Sequence, residues 1–250
     1  MRDLINYAHR GASAYAPENT FAAFYLGRQM NANGIETDIQ ATKDGVLVLF
    51  HDDTLQRVAG LDVTIQDLTF EELCRIDVGS HKGPQYAGER VPTLEEFLHH
   101  FAGKGLHLAL EIKQAGIEKE IAEAVRQWCD PDKTIVTSFI WESLTVMRRI
   151  APEIRTGYLS LHEDEEVLQN MKKEGIYQYC PLASAWTKEW DQVFRKEGFS
   201  IRAWGVQNEE LMMKMLDLGV DGMTVNFPDK LNEALQRMEE ESSASADSIS

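Results

Sequence analysis

The feature that most constrains this chain is a repeated alternation of short apolar runs with amphipathic stretches. The runs are Leu4 to Ala8, Ile35 to Gln40, Val46 to Phe50, Leu106 to Ile112, Thr134 to Ser138, Arg155 to Leu159, Ile176 to Cys180, Ser200 to Val206 and Gly222 to Val225. Between most of them apolar residues recur at helical spacing, as in Ile117 to Trp128 and Glu209 to Leu218. Parallel strands need a crossover of about a dozen residues, and a helix is the usual one. Strand alternating with helix therefore specifies a parallel sheet of βαβ units. About eight such units in 250 residues favour an α/β fold of the TIM (β/α)8 barrel type. A doubly wound open sheet is the alternative, but no Gly-x-Gly-x-x-Gly follows the first run.

Composition narrows the partners. With 41 acidic residues against 25 Lys and Arg, the net charge is -16. Such a surface repels polyanions, so nucleic acid and anionic membrane are poor candidate partners, while a small anionic substrate needs only a locally positive site. The three cysteines cannot all pair and show no Cys-x-x-Cys spacing, which argues against a disulfide scaffold or a zinc knuckle. The start, MRDLINYAHRG, has no apolar leader, and no run approaches the roughly 20 residues of an integral membrane segment. The expectation is a cytoplasmic protein, with its oligomeric state left open.

Two segments depart from the alternation. Asp44-Gly45 separates two apolar runs too closely for a crossover and reads as a hairpin. A two-residue loop there would set Asp38 opposite His51. Residues 52 to 91 are irregular and glycine-rich around a Thr69-x-x-Glu72 capping box, and a second box, Thr93-x-x-Glu96, marks the return to regular order. The expected organisation is one barrel over residues 1–238, with an insertion at 52–91 roofing the mouth. A Ser/Ala/acid-rich tail at 239–250 is expected to be disordered.

The chemistry-bearing residues collect at predicted strand ends. Glu36 and Asp38 lie two apart, so a strand presents both on one face, and Glu111-Ile-Lys113 repeats the pattern after another run. Three carboxylates from two strand ends suit a hard divalent cation. His9-Arg10-Gly11 follows the first strand, on what a barrel makes its catalytic face, and the hairpin brings His51 to the acids. Two imidazoles around one site fit a general acid and a general base. Arg10 offers a fork for phosphate oxygens and Lys113 a point charge. Glu18-Asn19-Thr20 precedes a helix, with Asn19 or Thr20 as its N-cap, and Trp204 ends a late strand where it either walls a pocket or packs.

In order and spacing, His9-Arg10-Gly11, Glu18-Asn19-Thr20, Glu36-Thr-Asp38, His51-Asp52-Asp53-Thr54-Leu55, Pro92-Thr93-Leu94-Glu95-Glu96 and Glu111-Ile-Lys113 resemble the glycerophosphodiester phosphodiesterase family. The second half matches more loosely, through Ala203-Trp204-Gly205-Val206 and through Asp221-Gly222 followed by Pro228-Asp229. The resemblance implies a TIM barrel that hydrolyses small glycerophosphodiesters to glycerol 3-phosphate and an alcohol. It implies Mg²⁺ or Ca²⁺ on Glu36, Asp38 and Glu111, His9 and His51 as the acid/base pair, and Arg10 and Lys113 on the phosphate. Trp204 would then line the substrate site, with Glu18 and Asn19 in support. One departure is Asn226, where many members carry Asp. The rival readings are a lysophospholipase D-like enzyme on the same barrel, a non-catalytic headgroup-binding module, and a glycosidase. The last leaves both histidines, Arg10 and Lys113 without a task.

Overall fold

The computed structural model describes residues 4–247. Eight parallel strands close into a barrel: β1 (Ile5–His9), β2 (Gly34–Ala41), β4 (His107–Ile112), β5 (Thr134–Ser138), β6 (Arg155–Ser160), β7 (Gln178–Pro181), β8 (Ser200–Val206) and β9 (Gly222–Val225). Pairing runs in chain order around the ring, and β1 closes it by bonding both β9 and β2. The helices α1 (Phe21–Gln29), α4 (Leu94–Phe101), α5 (Glu118–Trp128), α6 (Trp141–Ile150), α7 (Glu165–Glu174), α8 (Lys188–Lys196), α9 (Glu209–Leu218) and α10 (Pro228–Asp247) follow the strands. No helix among the described residues is long and apolar enough to cross a membrane.

Local chemistry starts these helices where the chain must leave a strand. Thr20, Asp164, Thr187 and Asn208 each accept a backbone N–H of the first turn, and the Thr93/Glu96 capping box is formed as expected. Two large clusters of buried side chains fill the space between barrel and helices, one under α1, α4 and α5, the other under α7, α8 and α9.

Strand β2 is shared between two neighbours. Gly34 to Glu36 pair with β1, whereas Ile39 to Ala41 pair antiparallel with a short outer strand, β3 (Leu47–Leu49). The hairpin forms, but its register differs by one from the expectation. Gly45 takes φ +82 and Val46 N–H is held by the Thr42 hydroxyl at 3.0 Å, so the loop has three residues and Asp38 carries Phe50, not His51, on its backbone oxygen. Beyond β3 the chain forms α2 (Gln56–Ala59), α3 (Phe70–Leu73) and two 3₁₀ turns before rejoining at α4. This segment has its own apolar core, in which Leu55, Val58, Ile65, Leu73, Val78 and Val91 gather on Val48 and Phe50.

Residues 239–247 of the expected tail continue α10. Glu and Ala are strong helix formers, and the docked first turns of α10 remove the cost of nucleation. Residues 248–250 lie outside the described residues.

Candidate active site

The ends of β1, β2 and β4 meet at the mouth of the barrel. Parallel register sets His9 beside Glu36 and Asp38 beside Glu111. The carboxylate oxygens of Glu36, Asp38 and Glu111 approach within 4.8 Å of one another, at residues only 2%, 0% and 7% exposed. Burial and the neighbouring Asp38 charge push the Glu36 carboxyl well above its usual range and Glu111 up to about 7. Burial opposes ionisation of Asp38 as well, but Arg10 and Lys113 outweigh it and hold that carboxyl low. Asp38 Oδ2 accepts from Asn19 Nδ2 at 2.9 Å and lies 3.2 Å from Arg10 Nε. Its Oδ1 is buried without a hydrogen-bond donor. An oxygen left bare beside two further carboxylates is what a hard cation satisfies, so the residues fit the divalent ion expected from the sequence.

Both candidate histidines line the same cavity of about 230 Å³, together with Arg10, Glu36, Glu111 and Trp204. His9 Nδ1 lies 2.5 Å from Asn226 Oδ1, which also accepts from Ser13 Oγ at 3.0 Å. With Nδ1–H donating to that oxygen, Nε2 is the unprotonated nitrogen, 3.9 Å from Glu36 Oε2. Burial and then the Arg10 charge push the His9 imidazole down to about 4, so the ring is neutral at pH 7. His51 is held differently. Its Nδ1 meets the Asp52 carboxylate at 2.8 Å, leaving Nε2 as its free nitrogen.

The loop after β1 positions the cationic side. Arg10 takes φ +54, rare for a residue with a side chain, and its N–H donates to the Glu36 carbonyl at 2.9 Å. Gly11 follows at φ +83 with Ala23 backbone so close that a Cβ would lie 2.4 Å from it. Arg10 Nη1 donates to Glu18 Oε1 at 2.8 Å. Thr20 is the N-cap of α1, which frees Asn19, also at φ +54, to bridge Asp38 and the Thr37 hydroxyl. Lys113 Nζ lies 3.0 Å from Glu111 Oε1 and 4.0 Å from Asp38 Oδ1, against the acids rather than on the cavity wall.

The far wall is apolar. Trp204 spends its indole N–H on the Ser160 and Cys180 carbonyls, at 3.3 and 3.1 Å, and meets Phe139 edge to face with centroids 5.0 Å apart. It therefore both packs and walls the pocket. Among the described residues none from 52 to 91 lines the cavity, so the insertion is not the expected roof. It grips the β1–α1 loop from outside instead: Lys82 Nζ donates to the Ser13 carbonyl at 2.7 Å and Tyr86 Oη to the Tyr15 carbonyl at 2.9 Å.

Sequence reasoning missed Arg202. This arginine is 1% exposed and lines the cavity floor, bonded to Gln178 Oε1 at 3.0 Å and Thr224 Oγ1 at 2.5 Å over the Tyr7 ring. Its only sequence signal is a cation inside an otherwise apolar run. It also missed Arg57, which sits on both Asp52 and Glu18.

The profile of the glycerophosphoryl diester phosphodiesterase family matches residues 9–230. The chain is 34% identical over 236 residues to a glycerophosphodiester phosphodiesterase of Caldanaerobacter subterraneus subsp. tengcongensis, covering 92% of this chain and 97% of that one. Identity to a glycerophosphodiester phosphodiesterase of Bacillus subtilis is 32% over 248 residues, with 90% and 84% covered. Among solved structures, an Oleispira antarctica phosphodiesterase in complex with the product sn-glycerol-3-phosphate matches with a TM-score of 0.86 at 29% identity, over 92% of this chain and 96% of that one. The glycerophosphodiester phosphodiesterase of Thermotoga maritima matches at 0.78 and 27%, over 94% and 99%.

Proposed function

The chain belongs to the glycerophosphoryl diester phosphodiesterase family and is a phosphodiesterase of that class; we propose that it releases sn-glycerol 3-phosphate and an alcohol by metal-assisted acid–base catalysis between His9 and His51. The observation that carries this reading is the meeting of three buried carboxylates and two oppositely tethered imidazoles around one cavity. Glu36, Asp38 and Glu111 would hold Mg²⁺ or Ca²⁺, which supplies positive charge to the phosphoryl oxygens.

The chain's own groups divide the remaining work. His9, neutral and with Nε2 unprotonated, takes the proton of the attacking O–H. His51 gives a proton from Nε2 to the departing alkoxide, its ring fixed by Asp52. The Arg10 fork meets charge that grows on the phosphoryl oxygens, and the Lys113 ammonium adds positive charge from behind Glu111 and Asp38. Trp204 and Phe139 form the apolar wall against which the ester's carbon skeleton lies. Residues 1–238 act as one catalytic unit in the cytoplasm on a small soluble diester, with 52–91 as the insertion.

The test is release of the headgroup alcohol, choline or ethanolamine, from glycerophosphocholine, glycerophosphoethanolamine and a lysophosphatidylcholine, before and after chelation. Turnover of the water-soluble diesters that is lost on chelation and restored by Mg²⁺ or Ca²⁺ is the expected result. Full activity of the metal-stripped protein would reject the cation, and preference for the lysophospholipid would favour the lysophospholipase D-like alternative.

A further inference from the structure

Arg57 lies outside the cavity, on the insertion, with a side chain 48% exposed. We infer that it is a positioning residue of the reaction, a clamp that fixes His51 and Arg10 in one mutual geometry. Its guanidinium donates from Nε to Asp52 Oδ2 at 2.7 Å, from Nη1 to Glu18 Oε2 at 2.8 Å and from Nη2 to Glu18 Oε1 at 2.7 Å. Each of those carboxylates also holds a group at the cavity. Asp52 Oδ1 takes His51 Nδ1 at 2.8 Å, and Glu18 Oε1 takes Arg10 Nη1 at 2.8 Å. Arg10 in turn reaches Asp38 through Nε at 3.2 Å. One planar fork therefore joins the proton-transfer side of the site to its cation-binding side.

An exposed ion pair ordinarily adds little to stability, because water screens it and the side chains lose freedom. That expectation separates the two roles Arg57 could have. As a surface staple it would matter slightly for folding and not at all for rate. As a clamp it matters for rate, since misplacing a catalytic group by about 1 Å can cost on the order of 10²-fold. The fork is also specific to arginine, because a lysine ammonium is a point charge that cannot hold two carboxylates in plane.

The inference rests on the proposed role of His51, so Arg57→Ala and His51→Ala are to be measured together. Arg57→Ala should lower kcat about 10- to 100-fold with KM changed less than about threefold, while the melting temperature falls by no more than a few degrees. Millimolar guanidinium should restore part of the lost rate. Arg57→Lys, which keeps the charge, should recover less than about half of it. In a Glu18→Gln, Asp52→Asn background the same Arg57→Ala change should cost less than about twofold, because its route to the site is already cut.

A wild-type kcat in Arg57→Ala beside an impaired His51→Ala overturns the clamp and leaves the acid–base reading standing. A wild-type rate in His51→Ala overturns that reading itself. Full recovery by lysine, or an undiminished Arg57→Ala effect in the double-amide background, also overturns the clamp. So does a loss of activity that tracks only the fraction of folded protein.

Discussion

His9 and Asn226 stand 2.5 Å apart through Nδ1 and Oδ1, on strand ends adjacent in the ring but 217 residues apart in the chain. A neutral amide fixes the tautomer of His9 without adding charge, whereas Asp52 places a carboxylate on the equivalent nitrogen of His51. Asn226→Asp should therefore raise the His9 pKa from about 4, since the new carboxylate favours the imidazolium. A base fails once protonated, so the acidic limb of the kcat/KM profile should move to higher pH. An unmoved limb would remove His9 as the base.

The acid cluster makes stability depend on pH and metal together. Glu111 is raised to about 7 in the folded state from 4.5, and Glu36 is raised as well. A carboxyl with a raised folded pKa stabilises the fold fully below 4.5 and loses that contribution as pH rises through about 7. Metal-free protein should thus melt at a lower temperature at pH 8 than at pH 5.5. Saturating Mg²⁺ or Ca²⁺ replaces the missing protons, so the melting-temperature gain on adding metal should be larger at pH 8. Equal gains at both pH values would show that the ion binds elsewhere.

Removal of either imidazole should be severe and the two losses should not add. His9→Ala and His51→Ala are each expected to lower kcat by about 10²- to 10⁴-fold. The double variant should lose less than the product of the two, as both groups serve one transition state. Steady-state kinetics on one diester checks this.

Glu111 and Lys113 touch at 3.0 Å yet should fail in different ways. Glu111→Gln weakens the cation site, so a metal titration should recover part of its rate. Lys113→Met leaves the three carboxylates in place, and excess metal should not help it. Its loss should be about 30- to 1,000-fold, in kcat if the ammonium acts as charge develops. Metal rescue of Lys113→Met would reverse the two assignments.

Gly11→Ala tests the backbone that aims Arg10. The φ of +83 and the Ala23 backbone 2.4 Å from a would-be Cβ leave no room for a methyl group. A loss of about 2 kcal/mol or more in unfolding free energy is expected, together with reduced activity. Urea unfolding of the pure variant measures it.

The barrel and the two candidate histidines were legible because periodicity and strand-end position carry them. Pairing register was less so. Whether Asp44-Gly45 makes a two- or a three-residue loop depends on Thr42 clasping Val46, a side-chain bond no spacing rule contains. Asn226 stood out as a departure but gave no hint that it faces His9, since its strand joins β1 only when the ring closes. Arg57 carries no motif of its own, and only the fold brings Glu18 and Asp52 onto it. The low apolar content of the tail gives no sign of the helix that its Ala and Glu residues continue to Asp247.

Because β2 exchanges β1 for β3 midway along its length, the barrel closes without any contribution from residues 52 to 91. Both ends of that segment are separately tied down, β3 by its ladder to β2 and Pro92 by its carbonyl on Leu49 N–H at 2.9 Å. A protease that nicks the segment, at Leu61 for instance, which is 42% exposed, would leave two polypeptides woven into one particle. Such a nicked enzyme should run as two bands on a denaturing gel and as one peak on a sizing column, with the severed ends on the outside and the hydrolytic chamber undisturbed.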